Sequence, residues 1–357
     1  MYWLGLFPDR TPVTQADLDT VFSALEVELG CSLTDRKQFL GERDLIFRAR
    51  ADQVSGTSAV VSGQKIMVKI LDPAWTQRDL DLQDQIAAAL TEAQEDLPFA
   101  VPSAIALPGG GEAGQAGRMS VDTAAGSLWV RIAPWLDGEP MVSSGVRAAD
   151  LQVQLGRATA QLHRALRRVD PQLCPREHDW TIFGADRRIE NSLQVLGDQV
   201  ATEDRDIIRR FVKHFQTEVL TAWDALPSAV IHHDLHDGNT LLDTDGNLGG
   251  IIDFGDIAAA PRVVDLSISA SAVTTPRTPE AQIPTLDEVI ADLCRGYDEV
   301  QALSAEEKRL IAPIAVMRHC LVWTNWTRAL MHEDSPYARS RSENLLEVLR
   351  REVAETL

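Results

Sequence analysis

A chain of 357 residues with 45% hydrophobic content carries enough apolar material for two cores, which excludes disorder as its main theme. Its 53 acidic against 34 basic residues give a formal charge of −19 with no local basic patch, a field that repels nucleic acid and anionic membranes and suits cationic small molecules or plain solubility. Cys31, Cys174, Cys294 and Cys320 are scattered without a Cys-x-x-Cys pair. The run from Met1 to Pro8 lacks a basic n-region, and no stretch approaches the roughly 18 apolar residues of a membrane span, so a cytoplasmic protein is expected.

Leu18, Val21, Phe22, Leu25 and Leu29 recur at helical spacing and predict a helix over 14–30, stopped by Gly30. Short strands are expected over 47–51, 58–62 and 65–71, with Gly56 and Gly63 as hairpin turns. Helical periodicity returns over 77–90, and Pro98 and Pro102 then precede a further strand pair. The glycine-rich segment 108–117 is placed inside that pair as a hairpin tip, because it lacks the Gly-Lys-Ser/Thr ending of a phosphate-cradling loop. A strand beginning at Leu128 is ended by Pro134, beyond which the composition turns mainly helical, so domains of 1–133 and 134–357 are expected. Helices follow over 151–169, 205–225, 286–300, 305–331 and 341–355. Between the second and third of these, 229–232 and 250–253 read as two short strands separated by turn residues at 243–247.

The chemistry gathers at the ends of those two strands, in His232-x-Asp234-x-x-x-x-Asn239 and Asp253-Phe254-Gly255. Phosphoryl transfer needs little covalent help from protein: a divalent cation held against the phosphates and an aligned acceptor oxygen are enough. Asp234, a carboxylate on a strand-end loop, suits accepting the proton of a substrate hydroxyl or orienting it. Asn239 offers an amide oxygen to Mg2+ without a further negative charge, and Asp253 offers a hard carboxylate oxygen. Gly255 permits a tight turn beside them. His232 reads as a brace for the loop. Each residue alone is an ordinary turn former; their order and spacing together point to phosphoryl transfer. His163 falls on an amphipathic helix and reads as a packed, hydrogen-bonded histidine, while Trp323 and Trp326 read as core at helical spacing, with an aromatic wall for an amine as the alternative.

The string from Ile231 to Asn239 (IHHDLHDGN), followed by Gly250 to Ile257 (GIIDFGDI) and Pro261 to Leu266 (PRVVDL), resembles the aminoglycoside phosphotransferase and choline kinase superfamily, nearest in motif to hydroxylysine kinases. The resemblance implies an α+β, two-lobed protein-kinase-like fold. A small antiparallel-sheet N-terminal lobe would bind nucleotide, and a larger, mainly helical C-terminal lobe would carry catalysis and substrate binding. It implies Asp234 as catalytic base, Asn239 and Asp253 as Mg2+ ligands, Asp265 as a structural support, and ATP, with GTP as the alternative nucleotide. Lys69, in Ile66-Met-Val-Lys-Ile70, stands where the family places its phosphate-contacting lysine. Asp81 is its expected acidic partner, with Asp79 and Asp84 as competitors. The segment 41–47, including Arg43, takes the place of a nucleotide-positioning loop, and His233 stands where glycine is usual.

The implied acceptor is a small hydroxylated amine, hydroxylysine or a related amino alcohol, with homoserine, choline-like alcohols and aminoglycosides as alternatives. Oligomeric state is not legible. Two readings of other classes compete. A metal-dependent hydrolase would use His232, His233, His236, Asp234 and Asp237 as ligands, but leaves Asn239 and Asp253 without a role. A non-catalytic pseudokinase would keep the fold and lose the chemistry, although the full catalytic set is present.

Overall fold

The computed structural model describes residues 13–39, 44–56, 58–109, 116–144, 148–175, 177–276, 283–331 and 336–357. It falls into two compact units, with the break after Asp137.

The first unit opens with helix α1 (Gln15–Leu29). Thr14 and Asp17 exchange side-chain and backbone hydrogen bonds in a capping box, and Gly30 ends the helix at φ 60°. Five strands follow: β1 (Ser32–Phe39), β2 (Leu45–Asp52), β3 (Lys65–Ile70), β4 (Arg118–Thr123) and β5 (Gly126–Pro134). They form one antiparallel sheet in the order β1-β2-β3-β5-β4. In β3 the alternation is clean, with Ile66, Val68 and Ile70 buried while Met67 and Lys69 are half-buried. The apolar face packs on α1, where Phe22 meets Phe47 edge-on with ring centroids 5.4 Å apart. Lys69 therefore stands on the other face of the sheet. Helix α2 (Gln77–Ala93) buries Leu80, Leu82, Ile86, Ala87, Ala89 and Leu90.

Two expectations for this unit are corrected here, and one of its strands is new. Residues 58–62 form turns and bends, and the strand sequence reading missed is β1, whose polar stretch Thr34-Asp-Arg-Lys-Gln38 hides its period. The segment 108–117 precedes β4 instead of lying between the two strands, which Thr123 and Gly126 join in a tight turn.

The second unit is mainly helical. Its short strands are β6 (Glu139–Pro140), β7 (Ser228–Ile231), β8 (Thr240–Leu242), β9 (Leu248–Ile251) and β10 (Ala258–Pro261). They make a β6-β8-β9 sheet and a β10-β7 pair. The helices are α3 (Met141–Ser144), α4 (Ala149–Ala165), α5 (Ala185–Leu196), α6 (Thr202–Glu218), α7 (Val263–Val273), α8 (Leu286–Asp298), α9 (Ala305–Ala329), α10 (Pro336–Glu343) and α11 (Leu345–Thr356). Every residue of α7 is buried, so it is the central helix of this unit and shows no amphipathic period. Its serines stay satisfied by donating to carbonyls, Ser267 to Val263 at 2.9 Å and Ser269 to Leu235 at 2.7 Å. Helices α4 and α8 cross in backbone contact, because a Cβ on Gly156 would lie 2.0 Å from the Leu293 carbonyl oxygen and one on Gly296 1.9 Å from that of Val153.

Candidate functional site

Three short backbone segments place the motif residues. β7 ends at Ile231, and its pairing with β10 brings the start of α7 beneath the following loop. There Asp265, wholly buried, accepts the His232 N–H at 2.9 Å and the His233 N–H at 2.7 Å. His163 Nε2 donates to the same carboxylate at 2.9 Å, while the Tyr297 hydroxyl donates to His163 Nδ1 at 3.0 Å. Burial alone would raise the Asp265 carboxyl, but these donors hold it below the usual carboxylate range. One buried anion thus ties α4, α7, α8 and the loop together.

His232 is hydrogen-bonded through both ring nitrogens. Its Nδ1 accepts the Asp234 N–H at 3.2 Å, and its Nε2 donates to the Ile252 carbonyl at 2.9 Å. His233 takes a φ of 66°, in the left-handed region that favours glycine. Its imidazole is buried and pushed down to about 4, first by desolvation and then by the Arg318 charge.

The β8–β9 hairpin sets the second half of the motif. Thr240 pairs with Ile251, and the Ile252 N–H reaches the Asn239 carbonyl at 3.0 Å, so the chain delivers Asn239 and Asp253 to the same end of the hairpin. Asn239 donates its Nδ2 to the Asp234 carbonyl and to Asp234 Oδ2, both at 3.0 Å. Both partners are acceptors, which fixes the amide orientation and leaves Oδ1 as the oxygen directed elsewhere. Asp253, at φ 64°, is exposed. Asn239 Oδ1 and the Asp253 carboxylate are hard oxygen donors of the kind that suits a small divalent cation.

Asp234 is engaged on both oxygens. Oδ1 accepts from Arg318 Nη2 at 2.7 Å, and Oδ2 faces His236 Nε2 at 3.3 Å besides the Asn239 amide. Desolvation pushes this carboxyl up, but His236 and Arg318 outweigh it and keep it ionised. Burial in turn pulls the His236 imidazolium down, while the Asp234 and Asp237 carboxylates raise it overall. The Gly238 N–H opposes that second proton by donating to His236 Nδ1 at 2.8 Å.

The histidines of the loop diverge into these separate roles. Among the described residues no group of three or more His, Cys, Asp or Glu side chains is gathered to hold a metal ion. The hydrolase reading therefore lacks its ligand cluster.

In the first unit, Lys69 Nζ lies 3.1 Å from Asp44 Oδ2. Asp81 is not its partner, because it projects from the exposed side of α2 and accepts Gln77 Nε2 at 2.7 Å. Nor is Asp79, whose carboxylate caps α2 through Thr76. Asp84, at the edge of the buried face, takes two arginines instead: Arg118 Nη2 at 2.6 Å and Arg131 Nη2 at 2.5 Å. Arg43 lies outside the described residues. Trp323 is buried as core, whereas Trp326 packs on Trp180 with centroids 5.7 Å apart. Sequence reading missed Asp44, Trp180 and Arg318. Asp44 alone had a signal, in its place within the expected loop 41–47 and just before β2.

Residues 48–303 match the APH phosphotransferase enzyme family. Hydroxylysine kinase of Mus musculus is 23% identical over 231 residues, covering 61% of this chain and 60% of that protein. Hydroxylysine kinase of Bos taurus is 24% identical over 225 residues, covering 59% and 57%. The chain thus spans less than two thirds of the length of the curated relatives it matches. The solved structure of a microcompartment-associated aminopropanol kinase superposes with a TM-score of 0.68 at 18% identity, covering 95% of this chain and 98% of that one. Amicoumacin kinase, solved with AMP-PNP and Ca2+, gives 0.63 at 15% identity, covering 94% and 93%. The fold is the two-lobed kinase-like α+β fold, with a five-stranded antiparallel sheet in one unit and a mainly helical second unit. Among the described residues no helix is long and apolar enough to cross a membrane.

Proposed function

Because the chain belongs to the phosphotransferase enzyme family, we propose that it transfers the γ-phosphoryl group of ATP, or of GTP as the alternative donor, to a hydroxyl group of a small amine-bearing acceptor. Hydroxylysine or a related amino alcohol leads as acceptor. Its support is the hydroxylysine kinase relatives, at 23% and 24% identity, and the formal charge of −19, which favours a cationic ligand.

The observation that carries the reading is the locked pair Asp234–Asn239, in which the amide holds the carboxylate and keeps its own oxygen outward. In the proposed mechanism Asp234 orients the acceptor hydroxyl toward the γ-phosphorus and takes its proton as the new P–O bond forms and the bond from that phosphorus to the β–γ bridging oxygen breaks, releasing the nucleoside diphosphate. Asn239 Oδ1 and the Asp253 carboxylate would hold Mg2+, which supplies charge neutralisation at the phosphate oxygens when bound. Lys69 meets the phosphates of the nucleotide, and Asp44 holds its ammonium in place. His232 and Asp265 support the loop without touching substrate. The protein acts in the cytoplasm and takes no nucleic acid.

Titration calorimetry with AMP-PNP in the presence and absence of Mg2+, followed by a panel of hydroxylated amines and amino acids with ATP, tests the proposal. Metal-dependent nucleotide binding and phosphorylation of at least one panel member are expected. Zinc copurifying with a protein that binds no nucleotide would sink it.

A further inference from the structure

We propose that Arg318, on α9, is a positioning residue that fixes the carboxylate of Asp234 for transfer; the inference rests on the phosphotransfer reading above. Its guanidinium is a rigid planar fork, so anchoring one nitrogen sets the direction of the other. Nη1 donates to the Trp180 carbonyl at 2.8 Å, and Nη2 donates to Asp234 Oδ1 at 2.7 Å. The side chain is only 7% exposed and lies 5.3 Å from the centroid of the Trp180 ring. Trp326, two turns further along the same helix, packs on that ring, and Asn325 donates to the Asp179 carbonyl at 3.2 Å. The 179–180 segment is therefore clamped to α9, and Arg318 has a fixed base.

The two oxygens of Asp234 are then gripped from different parts of the chain. Oδ2 is held from within its own loop by Asn239, and Oδ1 from a helix 84 residues downstream by Arg318. With Oδ1 released, the carboxylate keeps one anchored oxygen and can turn about its terminal torsion, which is broad for such a group. Misplacement of a reacting group by about 1 Å costs on the order of 100-fold in rate. Arg318 has two acceptors already, which is the geometry of a strut.

The test compares Arg318→Gln and Arg318→Lys with wild type by steady-state kinetics, with folding followed by thermal unfolding and nucleotide binding by AMP-PNP titration. For Arg318→Gln, kcat should fall about 10- to 100-fold while the KM values for nucleotide and acceptor stay within about threefold. Arg318→Lys should fall between the two, since one ammonium cannot span both acceptors at fixed angle. It carries the test if the glutamine variant does not fold. Combining Arg318→Gln with Asp234→Asn should cost nothing beyond Asp234→Asn alone, as expected of residues acting through one group. Multiplying losses in the double variant would overturn the proposal. So would a raised acceptor KM at unchanged kcat, which would make Arg318 a substrate contact, or an unaffected Arg318→Gln enzyme. A wild-type protein that transfers no phosphoryl group removes the phosphotransfer reading and this proposal together; an active wild type with an indifferent Arg318 removes this proposal alone.

Discussion

Lys69 Nζ lies 3.1 Å from Asp44 Oδ2, so its counter-ion comes from the segment entering the neighbouring strand and not from the helix that follows. Asp44 is 5% exposed, and its other oxygen accepts the Asp72 N–H at 2.8 Å. Asp44→Asn should therefore raise the KM for ATP about 5- to 50-fold and cost roughly 1–3 kcal/mol of stability through the weakened buried hydrogen bonds. Asp81→Asn, on the exposed side of α2, should change stability by less than about 0.5 kcal/mol and leave the ATP dependence as it is. Initial rates at varied ATP, with urea unfolding alongside, read both effects; equal behaviour of the two variants would refute the assignment.

Asp265 anchors the loop that begins at His232, and under the proposed function its loss should be felt in both folding and rate. Asp265→Asn places an NH2 against groups that are themselves donors, His232 N–H, His233 N–H and His163 Nε2. A loss of about 2–4 kcal/mol is expected, with kcat reduced about 10- to 100-fold. The folded-state carboxyl is held below the ordinary value of 3.8. Its contribution is therefore present above that value and lost as pH falls through the depressed one. Acid unfolding should show a shallower pH dependence in Asp265→Asn than in wild type.

The buried pair between α9 and α11 has the opposite sign. His319 Nδ1 lies 2.6 Å from Glu352 Oε2, and Nε2 lies 2.6 Å from the Ser271 carbonyl oxygen. Both neighbours are acceptors, so the ring holds two protons and α11 is tied to α7 through an imidazolium. Desolvation pulls His319 down, but Glu352 raises it above the ordinary 6.5 overall. The stabilisation is fully present below 6.5 and disappears as pH rises through the raised folded value. Glu352→Gln should cost roughly 3 kcal/mol near pH 6 and flatten the alkaline limb of stability. Denaturant midpoints between pH 6 and pH 10 measure it, and parallel curves for the two proteins would contradict the pairing.

Gly156 and Gly296 let α4 and α8 touch backbone to backbone. Gly156→Ala would force a Cβ to within 2.0 Å of the Leu293 carbonyl oxygen unless the helices part. A loss of about 2–4 kcal/mol is expected despite the higher helix propensity of alanine. Thermal unfolding checks this, and a neutral or stabilising substitution would mean that the helices separate freely.

The sequence was most legible where one short stretch of chain holds the candidate site residues. Asp234, Asn239, Asp253 and Asp265 lie within 32 positions; the spacing of the first three pointed to one loop, and the family resemblance added Asp265. Arg318 was invisible because it reaches Asp234 across 84 residues from a helix whose own pattern reads as core. Asp44 was passed over because the expected partner sat on a helix, and helical phase turns Asp81 outward. Strand β1 escaped because a mostly exposed polar run at a sheet edge carries little period-2 signal. Helix α5 was passed over although Ala185, Ile189, Leu193 and Leu196 recur at helical spacing and are buried, because a single short apolar stripe stands among charged residues such as Arg187, Arg188 and Glu190. His233 stood out as a departure from glycine, and its φ of 66° gives the reason glycine is favoured there.

The central claim is that Asp234 and its neighbours carry metal-dependent phosphoryl transfer to a hydroxyl group. Its most direct measurement is phosphorylated product, read by 31P NMR or mass spectrometry, from ATP, Mg2+ and an active acceptor of the amino-alcohol panel, for wild type beside Asp234→Asn. Product from wild type and a fall of about 10²- to 10⁴-fold in Asp234→Asn are predicted. An Asp234→Asn protein that forms product at the wild-type rate would contradict the account.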